Sequence, residues 1–88
     1  MQQIREQLRE LIWNKLEENG LNLNTVQKVD IKKEWGFPVG ISLLIKIASY
    51  GRSFRNYQIK QHTAIKLLTF FKIPFVEKNG GIELVKNK

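Results

Sequence analysis

The sequence predicts an α+β domain: an N-terminal helix, an antiparallel sheet of about three strands, a second helix and a C-terminal β-hairpin. Three observations carry this. Apolar residues recur at helical spacing over residues 2–19, Ile and Leu alternate with other residues over 41–47, and Asn79-Gly80-Gly81 separates two short runs near the end of the chain. At 88 residues the chain reads as a single small basic domain, 1–88. A chain of that size buries roughly 60 to 65 % of the surface that its unfolded state exposes, so the core is modest.

Each element follows from its residues. Ile4, Leu8, Leu11, Ile12 and Leu16 share one helical face, the stretch is rich in helix formers, and Asn19-Gly20 supplies a left-handed stop. Arg5, Arg9 and Lys15 are expected on the outer face among Glu6, Glu10, Glu17 and Glu18, which makes this helix a scaffold and not a polyanion contact. After a polar connector over 22–25, residues 26–35 read as a charged strand with Val29 and Ile31 on one face. Trp35-Gly-Phe-Pro-Val-Gly40 holds two Gly and a Pro and reads as a turn.

In residues 41–47, Ile41, Leu43, Ile45 and Ile47 alternate with Ser42, Leu44 and Lys46, which favours a strand. A helical reading competes, because Ile41, Leu44, Ile45 and Ala48 fall at i, i+3, i+4 and i+7. Tyr50-Gly51-Arg52-Ser53 reads as a tight turn that returns as a strand over 54–61. Thr63 is the expected N-cap of a helix through Lys72, with Ala64, Leu67, Leu68 and Phe71 as its apolar stripe and Pro74 as its stop. FVEK, the Gly-containing turn and IELV then form the hairpin. The alternative architecture is a winged helix, in which residues 41–50 are helical, residues 57–72 hold a recognition helix and the hairpin is the wing.

Composition narrows the chemistry. There is no Cys and His62 is the sole histidine, which excludes a catalytic thiol, a Cys zinc site and any two-histidine mechanism. Asp30 and Glu34 are too few for a metal-dependent nuclease centre. No phosphate-cradling glycine loop or cofactor fingerprint is present, so no cofactor and no enzymatic activity are expected. The N-terminus is charged from Arg5 onward, and the longest run free of charge spans only Trp35 to Ile45. No membrane association is expected, and the protein reads as soluble, intracellular and cytoplasmic.

The net charge of +7 is unevenly spread. Residues 1–34 hold six basic and six acidic side chains, whereas residues 35–76 hold Lys46, Arg52, Arg55, Lys60, Lys66 and Lys72 with no carboxylate. Cations without local partners raise the positive potential over the surface they share. The expectation is a nucleic-acid-binding protein, DNA or RNA, that uses these six residues for the backbone, with Tyr50 and Tyr57 available to stack on bases. Trp35 and Phe37 could form an exposed aromatic lip, although such residues more often close the end of a core. His62 could donate to a phosphate when protonated. The alternative function is an inhibitor, adaptor or complex subunit whose basic face docks an acidic protein. Homodimerisation is a further expectation for so small a domain.

Overall fold

The computed structural model describes residues 2–49, 57–78 and 80–85, with side chains from Ile4 onward. Their order is α1 (Gln2–Glu18), a 3₁₀ turn (Val26–Lys28), α2 (Ile31–Trp35), α3 (Ile41–Ala48), α4 (Gln61–Phe70), β1 (Phe75–Lys78) and β2 (Gly81–Leu84). The fold is mixed α+β, with the N-terminal helix, the later helix and the C-terminal hairpin where the sequence puts them. No helix among the described residues is long and apolar enough to cross a membrane.

The centre of the chain differs from the expected sheet of about three strands. Among the described residues the only sheet is the antiparallel hairpin, which pairs Phe75 with Leu84 and Lys78 with Gly81. Residues 26–35 form two short helical turns. Asp30 caps the second, its carboxylate accepting the Lys33 amide at 3.3 Å, and Gly36 ends it at a φ of 67°. Residues 41–48 are helical, the arrangement on which the winged-helix alternative rests. Leu44, Ile47 and Ala48 of α3 are fully buried, while Ile41, Leu43 and Ile45 are half-buried. Of the strand expected over 54–61, residues 54–56 lie outside the described residues and 57–60 are irregular. The later helix starts at Gln61, so Lys60 and not Thr63 occupies the N-cap; Thr63 is a buried residue of the first turn.

The core forms where α3 and α4 pack on α1. Ile4, Leu8, Ile12 and Leu16 supply the α1 stripe, which meets Leu44 and Ile47 from α3 and Ala64, Leu67 and Leu68 from α4; Val26, Ile31, Phe37, Val39 and Ile59 seal its ends. Two long side chains of α1 also supply polar ties. Arg5 is 1 % exposed, contrary to its expected place on the outer face. Its Nη2 donates to the Lys46 carbonyl at 2.9 Å and its Nη1 to the Tyr57 carbonyl at 3.1 Å. Trp13 Nε1 donates to the Ala48 carbonyl at 2.8 Å. The last carbonyls of an α-helix lack intrahelical partners, and here α1 satisfies two of those of α3. Trp13→Phe keeps the ring and removes the donor, so we expect a loss of about 1 to 2 kcal/mol in urea unfolding. A variant as stable as the wild type would show that water replaces the indole there.

α1 and α4 end alike. At α1 the Gly20 amide donates to Glu17 O at 3.1 Å and the Leu21 amide to Leu16 O at 2.8 Å; at α4 the Lys72 amide donates to Thr69 O at 3.1 Å and the Ile73 amide to Leu68 O at 2.9 Å. Both are Schellman caps, which place one residue in the left-handed region. That residue is Gly20 in the first and Lys72, at a φ of 60°, in the second.

Candidate nucleic-acid interface

Burial divides the charged side chains into three groups. The first is structural. Arg5 lies in the core with its guanidinium 5.6 Å from the Tyr57 ring centroid, and its pKa is lowered chiefly by burial, then by Arg9, with Tyr57 opposing. Lys15 is half-buried, its ammonium 5.1 Å from the Trp35 ring centroid and 5.7 Å from that of Phe70. A cation over a ring face is attracted by the quadrupole, so Lys15 holds the outer edge of an aromatic cluster.

The second group is acidic. Glu6, Glu10, Glu17 and Glu18 of α1 are all exposed. With Arg5 turned inward and Lys15 laid over rings, the outward surface of α1 is more negative than its sequence suggests. That surface is no place for a polyanion.

The third group is the exposed lysines. Of the expected site residues, the structure places Lys46 on the outer side of α3, Lys60 at the N-cap of α4, Lys66 on the outer face of α4 and Lys72 at its C-terminal cap, all exposed. His62 and Thr69 are exposed on the same face of α4 as Lys66, at i−4 and i+3. Lys78 Nζ pairs with Glu83 Oε2 across the hairpin at 2.6 Å, with both side chains exposed, so the pair is worth little to stability. None of the four lysines is neutralised by a described carboxylate. Tyr50, Arg52 and Arg55, on which the charge expectation centres, lie outside the described residues.

Aromatic rings are mostly committed to packing. Tyr57 is half-buried against Arg5 and the core. Trp35 and Phe37 close the core end instead of forming an open lip. Phe37 is 3 % exposed and meets Trp35, Phe70 and Phe71 edge to face, with centroids 6.1, 5.0 and 6.2 Å away. Asp30 is engaged as a helix cap, and among the described residues no group of three or more His, Asp or Glu side chains could hold a metal ion.

One residue that matters here carries a sequence signal that is easy to miss. Arg5 falls between Leu8 and Leu16 on the helical wheel, so the periodicity that identifies the core stripe also puts the arginine on it. The hairpin and the start of α1 enclose a groove of 950 Å³ lined by Ile4, Gln7, Ile73, Val76 and Val85 among others; Val76 and Val85 are its most exposed large apolar residues, at 44 % and 43 %.

No protein-family model, curated protein or solved structure matches this chain.

Proposed function

We propose that the protein binds nucleic acid without catalysing a reaction, through the exposed lysines of the acid-free tract. The observation that carries this is that Lys46, Lys60, Lys66 and Lys72 are all exposed and unneutralised by described carboxylates. Exposed cations without carboxylate partners raise the local positive potential and attract a phosphate backbone. Arg52 and Arg55 belong to the same tract in sequence and complete the proposed set, with Tyr50 available for a base. Tyr57 serves here to receive Arg5 and not to stack.

The test is a titration against duplex DNA, single-stranded DNA and RNA at several salt concentrations, with a Lys46→Ala, Lys60→Ala, Lys66→Ala variant alongside. Each phosphate contact contributes about 0.9 to the slope of log K against log salt for B-DNA, so three lost contacts should flatten it by about 2.7. Affinity should fall on the order of 100-fold at 0.15 M salt. Far-UV circular dichroism should be unchanged, since all three side chains are exposed. Absence of salt-dependent binding by the wild type to every probe would sink the proposal and leave an acidic protein partner as the reading to pursue by affinity capture. Light scattering on the same samples tests the expected homodimer.

A further inference from the structure

We propose that Lys72 is a phosphate contact retained at a cost to the fold, which deepens the nucleic-acid reading above and rests on it. Four described residues have positive φ: Gly20, Gly36, Gly80 and Lys72. A side chain in the left-handed region crowds the following carbonyl, and glycine escapes this. At the three glycines an added Cβ would meet nothing within 4 Å, so it is the backbone conformation, and not lack of room, that selects glycine there. The end of α1 shows what the same cap looks like with glycine in place. Every other left-handed position described follows the backbone rule, and position 72 does not. Backbone strain of this kind persists where a side chain is needed for something else.

Lys72 is exposed and lies beside a groove of 350 Å³ between α1 and the end of α4, where Lys15 and the Asn14 amide are also found. Glu18 lines the same groove but forms no ion pair with Lys72. One backbone phosphate on the exposed Lys72 ammonium is the ligand this chemistry suits. The competing explanation is the helix dipole, since a cation near a helix C-terminus is favourable whatever its other use.

Lys72→Gly separates the two. Relief of the left-handed strain should raise Tm by about 4 °C. Loss of one phosphate contact should lower the salt slope of duplex binding by about 0.9 and weaken binding several-fold, whereas Lys72→Arg should keep the wild-type slope. Stability and affinity then move in opposite directions, which a purely structural lysine would not produce. Lys72→Gly with wild-type affinity and slope would overturn the proposal and leave the nucleic-acid reading standing. A Lys72→Gly protein no more stable than the wild type would overturn it too, by removing the cost. Failure of the wild type to bind any probe would overturn both readings together.

Discussion

Arg5→Ala should destabilise the domain by about 3 to 5 kcal/mol, a large part of the 5 to 15 kcal/mol available to a typical domain. The substitution strips the Lys46 and Tyr57 carbonyls of charge-assisted donors and leaves a hole beneath α3. Each carbonyl left dry costs roughly 1 to 3 kcal/mol, and the truncated stem adds lost burial. Arg5→Met separates these contributions. It refills the volume and removes the expense of burying a charge, so a smaller loss of about 2 to 3 kcal/mol is expected, nearly all from the two carbonyls. Arg5→Lys should not rescue, because one ammonium on a shorter stem does not reproduce the planar fork that serves two acceptors. Urea unfolding of the three variants measures this. Met at wild-type stability would mean that the carbonyls find other donors.

Phe37→Ala should cost about 3 to 5 kcal/mol, the range for removing a buried aromatic ring. Phe37 is the hub of its cluster, touching Trp35 from α2 and Phe70 and Phe71 from the end of α4. Its loss opens the core end and removes three edge-to-face contacts at once. Trp35→Ala takes away a half-buried ring at the rim, so about 1 to 2 kcal/mol is expected there. The order of the two separates a core plug from a ligand lip. If Trp35→Ala proves the more damaging to stability, the cluster is organised around the tryptophan. If both leave stability intact and abolish binding, the rings face a ligand after all.

Particular residues show what the sequence made legible. α1 was readable because its one buried stripe repeats over four turns, and the hairpin because a Gly-rich turn between short runs has few other uses, with Gly80 at a φ of 85°. The helix α3 was readable only as the less favoured of two alternatives. Its three isoleucines favour strands, and an element half-buried or buried on most sides shows little contrast between faces, so alternation and helical spacing were equally present. Packing on α1 decided the matter. Residues 30–36 did carry a signal, an Asp cap and a glycine stop bracketing one turn, but a span of five residues is too short for periodicity to show it. Of the residues expected at the interface, Lys46, Lys60, Lys66 and Lys72 are exposed, as a charged side chain implies by its type. Arg5 is the exception: its type suggests an outward charge, but its angle around the helix axis puts it on the buried stripe.

The ties from Arg5 and Trp13 to the carbonyls of α3 also bear on the order in which the chain folds. An eight-residue helix rich in isoleucine is far too short to persist alone in water. Its final carbonyls find partners 41 and 35 residues away in sequence, so the helix can be completed only once α1 has docked. Formation of α3 is therefore a non-local event, and loop closure must precede its reward. Amide exchange in α3 should accordingly proceed only through opening of the whole α1–α3 unit, so that its slowest protons report the global stability of the domain even though the helix itself spans barely two turns.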